Sequence, residues 1–512
     1  MNLARGFLTV GGMTLISRVL GLVREVILAA TLGASDSADA FFAAFRLPNL
    51  FRRIFAEGAF SLAFVPLFTK RLEDGEEAAR SFAEEALALL GSVLFILTLL
   101  ATLVMPILMY LLVAGFADQA EKFDKAVLLG RVMFPYLMLV SLTALFSGVL
   151  NALGKFAVAA GAPILLNLFM IPAALMAMAS GADVALWLSV GVTLSGIAQL
   201  WLVASAARRA GIKMGLRMPK LTGGMRQMLA LAAPAVIAGG AMQLNLVIGS
   251  VIASFFAGAV SWLTYADRLY QLPLGVVGVA VGVVLMPELS KRVKQGDKAA
   301  AQASMTRSIE FALALTIPAT MALIVIPTEI ARALFERGAF ASLDSQQTGT
   351  AAALFALGLP AYVLVKVFTP GFFAEEDSKT PLRLSLWTVG VNTVLAIIGA
   401  KIFGWLAIPI ATAIAAWMNA GLLWRGLSRN GYRIDPALKR KAVGILGASL
   451  IMALVLLIAA QVGADVLKEG WFRLPALLAM IIAGMAVYGV CAQLLGGISL
   501  RELRGGLKRN HS

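Results

Sequence analysis

Long apolar runs alternate with short polar, often basic, intervals along the whole chain. Each run is about 20 residues or longer, the reach a helix needs to cross a bilayer at about 1.5 Å per residue. The pattern predicts fourteen spans, at about 7–32, 38–68, 82–113, 126–150, 156–180, 184–207, 225–256, 260–289, 305–326, 346–373, 380–403, 405–424, 442–463 and 474–496. The second is the most heavily charged, and Gly404 separates two spans that almost touch. Arg18 and Arg24 interrupt the first run, so it reads as a mature spanning helix; a secretory signal needs an unbroken apolar core.

Composition strengthens this reading. Of 512 residues, 60% are hydrophobic and 14% charged, with a mean hydropathy of +0.88, against roughly 25% charged in soluble domains. The expected fold class is an all-α polytopic membrane protein with little chain left for a soluble domain. Cys491 is the sole cysteine and His511 the sole histidine, so neither a disulfide nor a Cys/His zinc cluster is expected. No GxxxxGK[ST] phosphate loop occurs, which leaves secondary transport as the leading class, with no cofactor and no metal.

The formal charge of +15 would suggest nucleic acid in a soluble protein, but in a bilayer protein its first cause is the excess of cations in cytoplasmic loops. With an even span count and the N-terminus inside, the inside segments hold about 28 of the 43 Lys and Arg, and the outside loops about seven. Both termini are therefore expected in the cytoplasm, and nucleic acid is not an expected partner.

A faint internal repeat organises the spans. Val65-Pro66-Leu67-Phe68-Thr69-Lys70-Arg71 answers Met286-Pro287-Glu288-Leu289-Ser290-Lys291-Arg292 at an offset of 221. Leu47-Pro48 answers Leu272-Pro273, Phe134-Pro135 answers Leu359-Pro360, Lys155 answers Lys379 and Asn167 answers Asn392, at 224 or 225. The reading is an N-terminal lobe over 1–210, a C-terminal lobe over 211–430, and two extra helices with a basic tail over 431–512. Six spans per lobe relate the lobes by a pseudo-two-fold along the membrane normal, and the cleft between them is the expected substrate site.

Eight cations fall within spans: Arg18, Arg24, Arg46, Arg52, Arg53, Arg131, Arg268 and Lys366. A cation at a span centre costs about 3 kcal/mol, so eight facing lipid would together exceed the about 5–15 kcal/mol net stability of a typical fold. Arg131 and Lys366 lie near span ends and can snorkel to the headgroups. On a helical projection Asp39, Arg46, Arg53 and Glu57 share one face within roughly 40°, with Arg52 about 100° away. Glu25, Asp39, Glu57 and Asp267 offset half the charge, leaving about +4, a field suited to an anion. Arginine forks fit phosphate oxygens. The competing reading is a set of structural ion pairs that hold interrupted helices together.

The run Ser17-Arg18-Val19-Leu20-Gly21 with Arg24, then Asp39-Ala40-Phe41-Phe42, then Leu47-Pro48-Asn49-Leu50-Phe51-Arg52-Arg53-Ile54-Phe55-Ala56-Glu57-Gly58, resembles the bacterial MurJ (MviN) lipid II flippases. Tyr265-Ala266-Asp267-Arg268-Leu269, Ala117-Asp118, Pro370-Gly371-Phe372 and Lys379-Thr380-Pro381 extend the resemblance along the chain. It implies a fourteen-helix MATE-like exporter fold in the cell inner membrane, alternating access, and transfer of undecaprenyl-pyrophosphate-linked muropeptide to the periplasmic leaflet. The resemblance assigns substrate binding to Arg18, Arg24, Asp39, Arg52 and Arg268, with Asn49, Arg53, Glu57 and Asp267 as further candidates. It makes membrane lipids partners and cell-wall synthesis proteins candidate partners.

The chain departs from the family pattern at Gln271, where some relatives carry an acid. Spans 11 and 12 offer only neutral groups such as Asn392, Thr393, Thr412 and Asn419, so no sodium site is carried over. Between Ala442 and Ala464 and between Leu474 and Leu500 no charged side chain occurs, which fits either a lipid-facing hairpin or a groove for a prenyl tail. Rival readings are an exporter of another lipid-linked polysaccharide or of drugs, and a non-transporting scaffold. An enzyme is not expected: Asp39 and Glu57 lack a nearby histidine and a catalytic domain.

Overall fold

Prolines, glycines and short polar side chains decide where the helices start, bend and stop. The computed structural model describes residues 3–53, 61–215, 217–295, 297–464, 470 and 472–498. Among them the helices are α1 Leu3–Leu32, α2 Asp36–Arg52, α3 Ser61–Glu73, α4 Glu76–Leu103, α5 Met105–Leu112, α6 Ala120–Met133, α7 Pro135–Ala152, α8 Phe156–Gly161, α9 Ile164–Ser180 and α10 Val184–Arg209. They continue as α11 Gly223–Ser254, α12 Ala259–Lys294, α13 Lys298–Val325, α14 Pro327–Phe335, α15 Ser342–Ala356, α16 Leu359–Ala374, α17 Lys379–Phe403, α18 Ala407–Arg429, α19 Pro436–Val462 and α20 Arg473–Leu494. No strand occurs among the described residues.

Several helices begin on an oxygen that accepts from their first N–H groups. Ser35 accepts from Ala38 N for α2, Asp183 from Ala185 N for α10, Asp297 from Ala300 N for α13 and Asp435 from Ala437 N for α19. Proline frees the carbonyl four residues before it, and in lipid that oxygen must find another donor. Pro106 frees the Thr102 carbonyl, which Arg131 Nε takes at 3.2 Å. Pro360 frees the Ala356 carbonyl, which the Thr320 hydroxyl takes at 3.2 Å.

Nine helices or continuous helical segments among the described residues are long and apolar enough to cross a membrane. One, Lys379–Arg429, has 51 residues and contains both α17 and α18, divided at Gly404, whose φ of 58° marks the turn. The hydropathy split at that glycine is therefore a real break. The charged helices α1, α2 and α12 carry the residues of interest.

The described residues group into two compact units, Met1–Ser261 with Gly338–Phe340, and Trp262–Arg337 with Ala341–Ser512. In the first, Phe64 stacks on Phe68 and Phe82 with centroids 5.5 and 5.7 Å apart, beside Leu145, Val149 and Val203. The basic segment after α10 is pinned to α4 there: buried Glu84 accepts from Arg80 Nε at 3.0 Å and Gly215 N at 2.9 Å, and pairs with Arg217 Nε at 2.6 Å. Arg217, one of the cytoplasmic cations of the sequence reading, is thus also a structural partner.

Still in the first unit, Gly33 closes α1 with φ 61°, and Ala339 N donates to Ala30 O at 2.8 Å beside it. A Cβ on Gly33 would overlap the Ala339 carbonyl oxygen. Gly33→Ala therefore adds a steric clash to left-handed strain, each about 1–3 kcal/mol, and is expected to lower the thermal unfolding midpoint in detergent; an unchanged midpoint would mean the turn relaxes freely.

In the second unit, Met305, Ile309, Val367, Phe368, Phe372, Leu423 and Leu427 form one core. Another, built from Ala448, Met452, Leu456, Leu477 and Met480, joins α19 to α20, with Tyr488 donating its hydroxyl to Ala314 O at 2.6 Å. The opposite faces of α19 and α20 leave Leu450, Leu454, Ile458, Ile482 and Met485 exposed, a surface fit for acyl chains.

Candidate functional site

On α1, Arg18 is exposed and has no carboxylate partner among the described residues. Arg24 lies two turns further on and is largely withdrawn, its side chain 11% exposed. Its two terminal nitrogens donate to Asn167 Oδ1 at 3.0 Å and to Glu25 Oε1 at 2.6 Å. Asn167 comes from α9, which packs along α1, and its own Nδ2 donates to the Ser17 carbonyl at 3.2 Å. Of the acids counted against the span cations, Glu25 is thus an ion-pair partner of its own neighbour Arg24.

On α2, Asn49 donates to the Phe45 carbonyl at 3.0 Å and accepts from Arg52 Nε at 3.3 Å, one turn apart on one face. Arg52 is half-buried, whereas Arg53, at the C-cap, is exposed with no carboxylate partner among the described residues. Glu57 lies outside the described residues. Arg46 reaches the hydroxyl of Ser250 on α11.

Asp39 has a different environment from the arginines. It is fully buried, and its carboxylate accepts from Lys122 Nζ at 2.8 Å, Gly258 N at 3.0 Å, Ser261 N at 2.9 Å and Ser261 Oγ at 2.6 Å. Gly258 and Ser261 flank the first residues of α12, so Asp39 caps that helix from another one and meets its positive end. Lys122 also pairs with Asp36 at 2.7 Å and stands 4.4 Å from the centre of the Phe116 ring. The stripe expected from helical projection thus does not form around Asp39, because α6 supplies a lysine that projection of α2 alone cannot show.

One turn along α6, Lys125 pairs with Asp183 at 2.8 Å and donates to Ser37 Oγ at 2.7 Å. Burial would raise the Asp183 carboxyl, but the bond and charge of Lys125, with the N–H groups of Leu186 and Ala185, outweigh it and hold it below the usual carboxylate range. Lys122 was legible only as an outside-loop cation. Its spacing from Lys125, at nearly one helical turn, was the only local hint that the two share a face.

In the second unit, α12 carries Asp267 and Arg268, both half-buried. Gln271, one turn on, donates to the Asp267 carboxylate, so the residue that departs from the family pattern is a partner of the neighbouring acid. Tyr270 stacks on Phe355 and Tyr362, at 5.0 and 5.8 Å between centroids.

The fold defines the class: a helical membrane protein with a MATE-like fold. A MATE family multidrug resistance transporter of the MOP superfamily, solved in an inward-facing conformation, matches at 14% identity with a TM-score of 0.67, covering 84% of this chain and 98% of that one. The chain belongs to the MurJ family: residues 28–480 match the family described as Lipid II flippase MurJ. A probable lipid II flippase MurJ of Rhizobium tropici is 47% identical over 99% of this chain and 97% of its own length. The lipid II flippase MurJ of Burkholderia cenocepacia is 34% identical over 88% and 89%. A solved lipid II flippase MurJ in an inward closed conformation matches at 25% identity with a TM-score of 0.79, covering 95% of this chain and 98% of that one. The chain is therefore a multi-pass membrane protein of this family.

Proposed function

We propose that the protein is a flippase that carries the undecaprenyl-pyrophosphate-linked peptidoglycan precursor, lipid II, from the cytoplasmic to the periplasmic leaflet of the inner membrane. The observation that carries this reading is the set of four arginines on α1, α2 and the C-cap of α2, Arg18, Arg24, Arg52 and Arg53, of which Arg18 and Arg53 have no carboxylate partner among the described residues. Two lobes of six spans, over 1–210 and 211–430, alternate access to a cationic cavity, and the extra pair within 431–512 completes fourteen helices. Both termini are cytoplasmic, in keeping with about 28 of 43 cations on that side.

Arg18, Arg24, Arg52 and Arg53 receive the pyrophosphate, with Arg268 as the contribution of the C-terminal lobe. Asn49 orients Arg52, while Asp267 and Glu57 temper the field so that the anion is released. Asp39 belongs to the framework that holds α2 and α12 in place. No covalent step is involved: the substrate leaves as it entered, and its tail stays in lipid, where the exposed faces of α19 and α20 can accompany it. A charge crossing the membrane potential gains about 2.3 kcal/mol per 100 mV, enough to bias the lobes between states.

The test is a leaflet-resolved assay in proteoliposomes, comparing lipid II with an uncharged polyprenyl-linked saccharide and with a cationic drug. Transfer of lipid II alone supports the reading. Preference for the cationic drug points to a drug exporter, and absence of any transfer in folded protein to a scaffold.

A further inference from the structure

The best-defined polar arrangement around the α1 arginines is a side chain that the sequence gives no reason to attach to them. Asn167 is 2% exposed, on α9, in a helix otherwise built of apolar residues up to its last, Ser180. Its amide is oriented by its two partners: the nitrogen can face only the Ser17 carbonyl, an acceptor, and the oxygen only the Arg24 guanidinium, a donor. Arg24 thus has one neutral and one charged holder, Asn167 and Glu25, and its Nε is buried without a hydrogen-bond partner.

The two holders do different things. Glu25 neutralises Arg24 and competes with any phosphate for it. Asn167 fixes the direction of the guanidinium plane at no cost in charge, and by bonding to Ser17 it ties that plane to the backbone next to Arg18. A neutral acceptor lets the cation keep its field while removing most of its rotamer freedom, which lowers the entropy lost when an anion binds.

We propose that Asn167 is the positioning residue of the pyrophosphate site, setting the Arg24 fork in register with Arg18 without quenching its charge. This rests on the reading that Arg24 receives the pyrophosphate. Two consequences separate it from a merely structural role. The effect of losing Asn167 passes through Arg24 and vanishes when Arg24 is absent. Replacement by aspartate, the same size but charged, damages binding because it adds a second neutralising carboxylate and sets an oxygen against the Ser17 carbonyl.

The experiment measures binding of undecaprenyl pyrophosphate, with undecaprenol as the uncharged control, to the full chain in nanodiscs, alongside its thermal unfolding. Asn167→Ala is expected to weaken pyrophosphate binding about tenfold, the size of one hydrogen bond to a charged group, and to leave undecaprenol binding unchanged. In an Arg24→Ala background the same substitution is expected to change binding by less than about twofold. Asn167→Asp, which keeps the side-chain volume, is expected to fold and to bind the pyrophosphate at least as weakly as Asn167→Ala. Wild-type affinity in either Asn167 variant, or a full tenfold loss that persists without Arg24, overturns the positioning role while leaving the flippase reading intact. Wild-type protein that binds undecaprenol as tightly as undecaprenyl pyrophosphate overturns both.

Discussion

Replacing Asp39 with alanine is expected to remove folded protein from the membrane, at a cost of about 3–5 kcal/mol, the range for breaking a buried ion pair by deleting one partner. The substitution leaves the N–H groups of Gly258 and Ser261 without their acceptor, and Lys122 with Asp36, 66% exposed in its side chain, as its remaining carboxylate. Asp39→Asn is expected to do nearly as badly: all the groups around the carboxylate are donors, so an amide nitrogen meets a donor whichever way it turns. Lys122→Met is milder, because Gly258, Ser261 and the start of α12 still stabilise the negative charge. Expression yield and thermal unfolding in detergent order the three. If Asp39→Asn unfolds like wild type yet fails to bind lipid-linked pyrophosphate, Asp39 is a substrate contact and its framework role is lost.

Arg18 and Arg53 are expected to behave in the opposite way, losing function without losing the fold. Both side chains are exposed and neither has a carboxylate partner among the described residues, so truncation leaves no buried orphan behind. Each charged hydrogen bond to a phosphate is worth about 1.5–3 kcal/mol, which is roughly ten- to hundredfold in affinity. Arg18→Ala and Arg53→Ala should therefore each weaken binding of undecaprenyl pyrophosphate by that factor and abolish flipping in proteoliposomes, with unfolding midpoints near wild type. Wild-type binding should also fall as salt is raised, because exposed cations are screened within about 10 Å at 0.1 M. A double variant that binds and flips normally would remove these two arginines from the site.

The contrast between Asp39 and these arginines shows how far the motifs could be read. The resemblance grouped Arg18, Arg24, Asp39, Arg52 and Arg268 as one substrate-binding set, since motifs record which residues occur together and not what each touches. Burial separates them: Asp39 is closed off by Lys122 and the start of α12, Arg24 is held by Asn167 and Glu25, and Arg18 stands open. Helical projection failed for Asp39 for the same reason. It compares residues on one helix, and the winning partner came from α6.

The chain's own residue order determined the class of fold. Apolar runs of spanning length must become helices in lipid, where each backbone group has to be satisfied within its own segment. That rule acts locally, so it also located the break at Gly404 and the charged helices that cannot face acyl chains. Which polar group satisfies which was settled only in three dimensions. Arg131 on the Thr102 carbonyl, Lys122 on Asp39 and Asn167 on Arg24 join residues 29, 83 and 143 positions apart. Away from bulk water each donor takes the acceptor that packing brings within reach, and packing is a property of the whole assembly of helices, not of any one of them.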